Sequence, residues 1–452
     1  MKSFTLREIL TACGGEFFGE TSILEKEVSH ITTDSRKIVK DCVFAAIEGE
    51  RVDGHNFIPQ CIEMGAICTV CEKTPPNHLP HILVKSTKAA LIKIAAAYRM
   101  KFEIPFVGIS GSVGKTTTKE MISSVLSEKF SVMKTQGNFN NDLGVPITLF
   151  TLEESHEAAV VEMGISDFGE MSVLASMSRP DVCVITNIGA CHLENLKDLD
   201  GVKKAKTEMF GFMNEGGVAI LSGDDEKLRE IKEVQGKPPV FFGLSEGCDF
   251  TAKDIESNNT DETSFTVCYR GGSFRATVYA LGKHMVTNAL AAAAVGKHFG
   301  LSDDEIKKGI ADYKTVGSRA NVIKTDKLTI IDDCYNANPV SMKASMDTLS
   351  GFEGRRVAIV GDMKELGENE LPLHREVGRF AVEKRLDLII AVGDLALEIY
   401  KEARPYIDSE WFKTVEEAKL ELHEMLTIGD TVLVKASHSM HFEEIVDYLK
   451  EM

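Results

Sequence analysis

Short apolar runs alternate along the chain with longer segments in which apolar residues recur at helical spacing. The runs in the middle of the chain are FVGIS, AAVVEMG, DVCVITNIG and GGVAILSGD, and those in the last part are LTIIDDCYN, RRVAIVGDM, LDLIIAVGD and TVLVKAS. Uninterrupted apolar runs of this length are typical of parallel strands that helices cover on both faces. The pattern therefore predicts an α/β protein.

Three domains are predicted from this pattern and from the length of 452 residues, at roughly 150 residues per domain. Residues 1–85 contain the strand-like pieces VFAAI and HILVK between turn-rich stretches, and they predict a small α/β domain. The helical segment STKAALIKIAAAYRMKF and a hinge at Pro105 belong to a central parallel-sheet domain over residues 86–313. Residues 314–452 predict a separate Rossmann-like domain.

Composition and charge narrow the classes of function. The chain has 51 basic and 69 acidic side chains and a formal charge of −18, which disfavours nonspecific binding to nucleic acid or to anionic membranes. No apolar run approaches the ~18 residues of a membrane-spanning helix and the N-terminal segment lacks an apolar signal core, so we expect a cytoplasmic protein without membrane insertion. The ten cysteines are expected to be buried, reduced thiols, and the lack of an apolar surface stripe favours a monomer.

The segment VGISGSVGKTTTKEM carries the strongest signal for chemistry, because an apolar strand leads through a glycine-rich turn into a helix. Gly111 and Gly114 allow backbone N–H groups to surround phosphate oxygens. Lys115 supplies a cation to a nucleoside triphosphate, and the Thr116 hydroxyl suits Mg²⁺. The match is to the short form GxxGKT, and an ordinary glycine-rich turn is the alternative.

Polar side chains also follow the other central strands, at the position where ligands of open α/β sheets bind. They are Glu162, Asn187, His192, Lys206 and Glu208. With Thr116 they could form one or two magnesium sites. Because Mg²⁺ prefers oxygen ligands, Glu162 is a simple candidate, His192 is less expected, and Lys206 cannot coordinate a metal as an ammonium. Taken singly, each residue is also compatible with a structural role, as a cap, a loop histidine or a solvated charge.

Eight motifs occur in the order found in one enzyme family. They are GSVGKTTTKEM, QGNFNNDLGVP, VVEMGI, TNIGACHLE, AKTEMF, GKHMVTNALAA, DDCYNANPVSM and GDMKELG. On these motifs the chain resembles the Mur ligases over essentially all three predicted domains. The segment DDCYNANP, at 332–339, resembles the branch of the family that adds D-Ala-D-Ala and differs from the relatives that add lysine or meso-diaminopimelate.

The resemblance implies a three-domain α/β fold and an ATP-dependent amide ligase. The terminal carboxylate of a UDP-N-acetylmuramoyl-tripeptide would attack the γ-phosphate of ATP, and the amine of D-Ala-D-Ala would then displace phosphate from the acyl phosphate. Like charges meet when a carboxylate approaches a triphosphate, and Lys115 with two Mg²⁺ ions would neutralise them. Domain closure would exclude water from the acyl phosphate. The third residue of the tripeptide stays open.

The resemblance also implies roles at the phosphates and metals. The residues implied at the phosphates are Gly111, Gly114, Lys115, Thr116, Thr117 and Asn138. Thr116 would also serve one metal, and Glu162 and His192 would be ligands of the other. Lys206 would be carbamylated by carbon dioxide, which turns the cation into a carboxylate-like metal ligand. Lys115, His192 and Lys206 would be the catalytic residues.

Three further positions resemble nucleotide contacts of the family. Asn288 matches the adenine-contacting position, Arg319 matches an arginine that reaches the phosphates, and Asp333 matches the ribose-binding carboxylate. A hydrogen bond within its own helix is the alternative for Asn288, and a surface ion pair is the alternative for Arg319.

The two substrates of the ligation are assigned in the same way. The segments TDSRK and GERVDGHNF resemble nucleotide-sugar loops, and the residues implied there are Ser35, Arg36, Asp53 and His55. The residues implied at the D-Ala-D-Ala end are Tyr335, Asn336, Asn338 and His438, although Asn-Pro also suits a tight turn. Relatives commonly have glycine, serine and arginine after the lysine that matches Lys435. His438 therefore places a titratable group where a permanent charge is usual.

Two other functions stay open at this point. One is another acid–amine ligase of the same superfamily, of the folylpolyglutamate or cyanophycin type, which the DSR and DGH loops near the N-terminus disfavour. The other is a regulatory P-loop ATPase. The group of Glu162, His192 and Lys206 disfavours it, because a simple switch needs no second metal site.

Overall fold

A computed structural model shows the protein built on three β-sheets and describes residues 1–49, 51–257 and 262–452. Each sheet falls within one of the three predicted domains, and helices cover the sheets as the alternating pattern predicts. The α/β fold class is thereby confirmed. Among the described residues, the helices are too short or too polar for any of them to cross a membrane.

The first sheet is small and has five strands in the order β1-β5-β4-β3-β2. The strands are β1 (Glu16–Phe18), β2 (Ile31–Thr32), β3 (Val43–Ala45), β4 (Cys68–Cys71) and β5 (His81–Leu83). The helices are α1 (Leu6–Cys13), α2 (Ile58–Glu63) and α3 (Thr87–Arg99). Only β1 is antiparallel to its neighbour. The predicted strands VFAAI and HILVK and the predicted helix before Pro105 are confirmed.

The central sheet has nine strands in the order β14-β13-β12-β11-β10-β9-β6-β8-β7. The strands are β6 (Phe106–Ser110), β7 (Val132–Lys134), β8 (Ala158–Glu162), β9 (Val182–Ile185), β10 (Val218–Ser222), β11 (Val240–Phe242), β12 (Phe250–Ser257), β13 (Thr263–Tyr269) and β14 (Gly272–Val278). From β7 to β12 the sheet is parallel, as predicted. The last two strands are antiparallel and extend one end of the sheet, which the sequence analysis does not predict.

Helices of the central part cover both faces of this sheet. They are α4 (Lys115–Leu126), α5 (Gly144–Leu149), α6 (Glu170–Ser178), α7 (Leu193–Leu196), α8 (Leu199–Thr207), α9 (Glu226–Arg229), α10 (Lys283–His298) and α11 (Asp303–Ala311). Successive residues of β9 point to opposite faces, with Val182 and Val184 in the core under α4 and α10, and Cys183 and Ile185 in the other core.

The third sheet has six strands in the order β15-β16-β20-β17-β18-β19, and only β15 is antiparallel. The strands are β15 (Asn321–Lys324), β16 (Thr329–Asp332), β17 (Arg356–Gly361), β18 (Leu388–Val392), β19 (Asp408–Phe412) and β20 (Thr431–Lys435). The helices are α12 (Pro339–Ser350), α13 (Glu370–Glu383), α14 (Leu397–Ala403), α15 (Val415–Met425) and α16 (Glu443–Glu451). The only tryptophan of the chain, Trp411, lies on β19 and donates its indole N–H to the carbonyl oxygen of Gly393 at 2.8 Å.

The hydrophobic cores show how the three parts are joined. The first part and one face of the central sheet share one continuous core, to which α1, α3 and α6 all contribute. The third sheet has two cores of its own, one on each face. Helix α3 contacts α1 of the first part and also α5 and α6 of the central part, so the structure does not separate the two parts at residue 85. The domain limits at residues 85 and 313 stay predictions. All ten cysteines are free thiols, with Cys248 and Cys268 half-buried and the other eight buried.

Tyr98 on α3 is the buried polar group that ties the first part to the central one. Its hydroxyl donates a hydrogen bond to the carbonyl oxygen of Leu152 and accepts one from the Lys2 N–H, both at 2.7 Å. The ring is fully buried among Phe4, Phe102 and other apolar side chains. Removing the hydroxyl leaves the buried Leu152 carbonyl oxygen and the half-buried Lys2 N–H without this partner.

We expect Tyr98→Phe to lower the free energy of unfolding by about 1–3 kcal/mol, the usual penalty for buried groups left unsatisfied. Chemical denaturation followed by circular dichroism measures the change. Tyr406→Phe is the matched control, because Tyr406 is 75% exposed and its loss of a hydroxyl should leave stability unchanged. Equal stabilities of the two variants would contradict the role given to the Tyr98 hydroxyl.

Candidate functional site

The glycine-rich turn after β6 forms a phosphate-binding loop in its geometry. Gly111 and Gly114 have φ angles of +150° and +81°, and α4 starts at Lys115 directly after the turn. The Lys115 Nζ atom donates to the carbonyl oxygen of Gly111 at 2.8 Å, so the side chain folds back over the loop. Thr116 is buried in the first turn of the helix. The backbone N–H groups at the start of α4 and the ammonium thus face the same place, which suits phosphate.

The end of β9 holds this loop in place. The Asn187 side chain accepts a hydrogen bond from the Val113 N–H at 2.9 Å and donates one to the Val113 carbonyl oxygen at 3.0 Å. The Thr186 hydroxyl donates to the same carbonyl oxygen at 2.5 Å. A methyl group at Gly111 would lie 1.9 Å from the Thr186 oxygen. Only glycine fits at this position, because β9 lies directly against the turn.

Glu162 ends β8 beside the loop and carries an unsatisfied oxygen. The residue is 1% exposed, and its Oε1 atom accepts a hydrogen bond from the Asn140 side chain at 2.7 Å. Its buried Oε2 atom accepts no hydrogen bond from the residues that the structure describes, and the Lys119 ammonium lies 3.8 Å away. A desolvated carboxylate oxygen without a hydrogen bond is costly unless a cation binds it. The oxygen is therefore suited to a hard metal ion.

His192 follows β9 in a left-handed turn with φ at +51°. Its Nδ1 atom lies 2.5 Å from Oε2 of Glu365, a residue of the third part of the chain. Burial lowers the pKa of His192, the Glu365 carboxylate opposes this shift, and the cations of Lys206 and Lys115 lower the pKa further. The balance of these effects favours the neutral imidazole, which is the form that can bind a metal.

Lys206 on α8 is 1% exposed, and its ammonium has no hydrogen bond or ion pair with any residue that the structure describes. Burial lowers its pKa to about 8, the neighbouring Cys191 thiol opposes the shift, and the Lys115 cation adds to it. A buried lysine without an anion is unusual, because desolvation disfavours the charged form. Lys206 thus combines a place beside the phosphate loop with a partly neutral amine.

The sequence-predicted metal set is therefore brought to one edge of the central sheet, but its unmodified side chains do not complete a metal site. Within the described ranges, no group of three or more His, Cys, Asp or Glu side chains is arranged to hold a metal ion. Glu162 and His192 supply a buried carboxylate oxygen and an imidazole, whereas Lys206 as an amine supplies no oxygen. Glu208, considered with them from the sequence, instead accepts hydrogen bonds from Gly169 and Ser172 at the start of α6.

The other predicted nucleotide contacts of the central part differ in their surroundings. Asn288 on α10 is buried at the loop, where its Oδ1 atom accepts a hydrogen bond from the Thr118 hydroxyl at 3.1 Å. Its amide also makes a weak contact with the Met285 sulphur in its own helix, at 3.8 Å. Thr117 faces Tyr313. Asn138 lies exposed, with no side-chain hydrogen bond among the described residues.

Three predicted residues form a stack in the third part of the chain. The Arg319 guanidinium lies 3.7 Å from the centre of the Tyr335 ring. The His438 ring stacks against the same tyrosine, with centroids 5.7 Å apart and an angle of 29° between the planes. In the described structure Arg319 has no carboxylate partner, so the ion pair considered from the sequence is not found. The guanidinium keeps its hydrogen-bond donors for an anion.

Asp333 is engaged by the protein rather than left open. Its Oδ2 atom accepts hydrogen bonds from the buried Lys435 ammonium at 2.6 Å and from the Ser345 hydroxyl at 2.5 Å, and its Oδ1 atom accepts one from the Ala320 N–H. Lys435 also donates to the Asn336 carbonyl oxygen at 2.9 Å. The lysine thus fixes the loop that carries the other predicted residues. Contact of Asp333 with a ribose stays a prediction.

The two asparagines of this loop have separate roles in the structure. Asn338 is the N-cap of α12: its Oδ1 atom accepts the Ser341 N–H at 2.9 Å, and its own N–H donates to the Ser341 hydroxyl. The sequence analysis considered a tight turn at Asn-Pro as the structural alternative, and the structure has a helix cap there instead. Asn336 is exposed, and among the described residues its side chain accepts a hydrogen bond only from the N–H of Ala337. Its side-chain amide is therefore the freer of the two for a ligand.

The first predicted nucleotide-sugar loop contains an exposed arginine held by one aspartate. Ser35 is half-buried and starts the short helical turn Ser35–Lys37. The Arg36 guanidinium binds both oxygens of Asp34 at 2.9 Å, and its side chain is 85% exposed. The Arg36 guanidinium and N–H lower the pKa of Asp34 to about 2.

The second loop is held by a chain of hydrogen bonds. His55 Nε2 accepts the Glu72 N–H at 3.0 Å, so the proton of this ring is on Nδ1, which donates to Asp53 at 2.6 Å. Lys73 binds the other oxygen of Asp53 at 2.7 Å and also pairs with Glu48. Lys73 and His55 hold the pKa of the Asp53 carboxyl well below its usual range. Glu50 of this loop lies outside the described residues.

The structure adds residues that sequence reasoning did not assign. They are Lys119, Thr186, Glu365 and Lys435, and Asn187 gains a defined role in holding the phosphate loop. Glu365 lies in the motif GDMKELG, which the sequence analysis singled out. The motif alone cannot show that the Glu365 carboxylate contacts His192. Lys119 lies one helical turn after Lys115 on α4 and is fully buried. The spacing of residues along the helix does not predict that this lysine is buried.

Comparisons with known proteins agree with this geometry. Profiles of the "Mur ligase family, catalytic domain", the "Mur ligase middle domain" and the "Mur ligase, glutamate ligase domain" match residues 27–102, 109–296 and 318–438. The chain is 37% identical to UDP-N-acetylmuramoyl-tripeptide--D-alanyl-D-alanine ligase of Bacillus subtilis over 94% of both chains. Crystal structure I of MurF from Acinetobacter baumannii has a TM-score of 0.94 and 33% identity over both whole chains. The MurF ligase of Thermotoga maritima in complex with ADP has a TM-score of 0.82 and 30% identity, covering 93% of this chain and 97% of its own.

We expect Gly111→Ala to weaken ATP binding at least about tenfold, which corresponds to 1.4 kcal/mol. The added methyl group would meet the Thr186 oxygen at 1.9 Å and force the phosphate loop out of place. Isothermal titration calorimetry with ATP measures the effect. Gly211→Ala serves as the control, because no atom lies within 4 Å of a methyl group there. Unchanged ATP affinity in the Gly111 variant would mean that the loop does not bind the phosphates.

Proposed function

Because the chain belongs to the Mur ligase family, we propose that it is the ATP-dependent ligase that joins D-Ala-D-Ala to UDP-N-acetylmuramoyl-tripeptide. The product is the UDP-linked pentapeptide used in peptidoglycan synthesis. The relatives that match over nearly the whole chain carry this activity in their names. This agreement disfavours the folylpolyglutamate-type, cyanophycin-type and regulatory alternatives.

The observation that carries the proposal is the environment of the phosphate loop. Lys115, the buried Lys206 and His192 lie close enough to influence one another electrostatically, and Glu162 ends β8, the strand next to β6. A loop that only binds a nucleotide needs the first of these residues but not the others. The additional groups suit a reaction in which a second anion, the tripeptide carboxylate, is brought to the γ-phosphate.

The first step in this proposal is attack of that carboxylate on the γ-phosphate, with ADP as leaving group and an acyl phosphate as product. Lys115 and the N–H groups at the start of α4 bind the phosphates and reduce the repulsion between the two anions. Thr116, Glu162, His192 and carbamylated Lys206 would hold Mg²⁺, which supplies further positive charge when bound. In the second step the amine of D-Ala-D-Ala attacks the acyl carbon and phosphate leaves.

Carbamylation of Lys206 is supported by the environment of its amine. Carbon dioxide reacts with the neutral amine to form a carbamate and releases one proton. With its pKa at about 8, Lys206 has a roughly 300-fold larger neutral fraction at pH 7 than an ordinary lysine. Lys115 nearby would favour the negative charge of the carbamate. The modified side chain would supply the oxygen that the unmodified site lacks.

The stack of Arg319, Tyr335 and His438 is the place we propose for anionic groups next to the third part of the chain. Arg319 would reach the phosphates, and His438 and Asn336 would contact the D-Ala-D-Ala end. Lys435 supports this surface from below through Asp333 and the Asn336 carbonyl oxygen. In the first part of the chain, the exposed Arg36 guanidinium and the loop ordered by His55 and Asp53 would bind the UDP-sugar.

The activity is tested by phosphate release from ATP with UDP-N-acetylmuramoyl-tripeptide, with and without D-Ala-D-Ala, together with mass spectrometry of the product. We expect multiple-turnover release only with both substrates, and a product with the mass of the pentapeptide. The same tripeptide with L-Ala-L-Ala is the control for the acceptor. Release of phosphate from ATP alone, or a product with a different amine, would overturn the assignment.

We expect Lys206→Ala to abolish ligation while leaving ATP affinity within about threefold, since the phosphates bind mainly to the loop. Bicarbonate or a short carboxylic acid added to the variant should restore part of the activity, because a free carboxylate can replace the carbamate oxygens. Lys204→Ala is the control, as Lys204 is an exposed lysine of the same helix. Full activity of the Lys206 variant would exclude the carbamate role.

A further inference from the structure

Two turns from different parts of the chain meet at the edge of the phosphate site. One is the turn at His192 that leads into α7, and the other runs from Glu365 to Gly367 after β17. His192 Nδ1 lies 2.5 Å from Oε2 of Glu365, and the Leu193 N–H donates to the Glu365 carbonyl oxygen at 3.2 Å. A methyl group at Gly367 would lie 3.4 Å from the Glu194 backbone, so the two turns are in close contact.

Both residues of the central contact adopt an unusual backbone conformation. His192 has φ at +51° and Glu365 at +63°, in the left-handed region that residues with a side chain rarely adopt. Such strain persists where surrounding structure holds it, often at functional sites. Here the His192 and Glu365 side chains, one from each turn, contact each other.

The contact with Glu365 favours one tautomer of His192. A carboxylate only accepts hydrogen bonds, so a hydrogen bond across this contact requires the ring proton on Nδ1. With Nδ1 engaged by Glu365, Nε2 is the ring nitrogen left for a metal. Carboxylates that hold a metal-binding histidine in this way raise its basicity and fix its orientation.

Glu365 has no other ion pair or hydrogen bond through its side chain among the described residues, and that side chain is 61% exposed. An exposed carboxylate of this kind contributes little to folding stability. Its one side-chain contact among the described residues is with His192, a residue of the proposed metal set. Glu365 itself belongs to the third part of the chain, which has its own hydrophobic cores.

We propose that Glu365 is a positioning residue that holds His192 in its metal-binding tautomer and thereby makes metal affinity depend on docking of the third part of the chain. The proposal rests on the proposed function in taking His192 as a metal ligand. When the third part moves away, Glu365 leaves with it, and the imidazole is free to rotate and to move its proton to Nε2. The central part alone then holds a weaker metal site.

The test uses the full chain and Mn²⁺ as the probe, in bicarbonate buffer, with binding followed by electron paramagnetic resonance. We expect Glu365→Ala to weaken Mn²⁺ binding about 10- to 100-fold. Glu365→Gln should lose less, because its amide oxygen still accepts the Nδ1–H bond. Glu368→Ala removes an exposed charge from the same turn and should leave the affinity unchanged.

A second readout is the tautomer of His192 by nitrogen NMR of protein labelled with ¹⁵N-histidine, assigned with His192→Ala. The native protein should show the Nδ1–H form, Glu365→Gln should keep it, and Glu365→Ala should shift toward Nε2–H with an unchanged unfolding midpoint. An unchanged tautomer and Mn²⁺ affinity in Glu365→Ala would overturn the proposal. If His192→Ala binds Mn²⁺ normally while the tautomer still follows Glu365, the ligand assignment of the proposed function fails and the metal half of this proposal falls with it.

Discussion

The parallel alignment of β8, β6 and β9 is the constraint on which the site depends. The register pairs Ile109 with Glu162 and Ser110 with Ile185, so the three strands end at the same edge of the sheet. The phosphate loop starts at the end of β6, Glu162 is the last residue of β8, and the loop that carries His192 starts at the end of β9. A shift of one residue in this register would turn each side chain to the opposite face and separate the groups.

Burial gives these groups their chemical properties. Exposed lysines and glutamates would be solvated and ordinary. Here the Lys206 ammonium is buried with no anion, and Glu162 Oε2 is buried with no hydrogen bond, among the described residues. The fold holds them because the surrounding apolar cores stabilise the sheet independently of the site.

Much of this could be predicted from the sequence, and the remainder depends on long-range contacts. Continuous apolar runs identified the parallel strands, and the local spacing from Gly111 to Thr116 identified the phosphate loop. The antiparallel strands β13 and β14 were not predicted, because their half-buried, alternating pattern differs from the continuous apolar runs of buried parallel strands. The cap formed by Asn338 is local but was indistinguishable from a ligand contact. The contact between His192 and Glu365 joins segments that are distant in the sequence, so no local sequence pattern could predict it.

The single tryptophan gives the molecule a built-in optical reporter. Trp411 lies on the outermost strand of the third sheet, where its indole is bonded to Gly393, and the rest of the chain contains no second indole. Intrinsic tryptophan emission therefore reports on the third part alone, whereas far-ultraviolet circular dichroism sums over the whole chain. The two signals together separate local loosening of one region from melting of the entire protein.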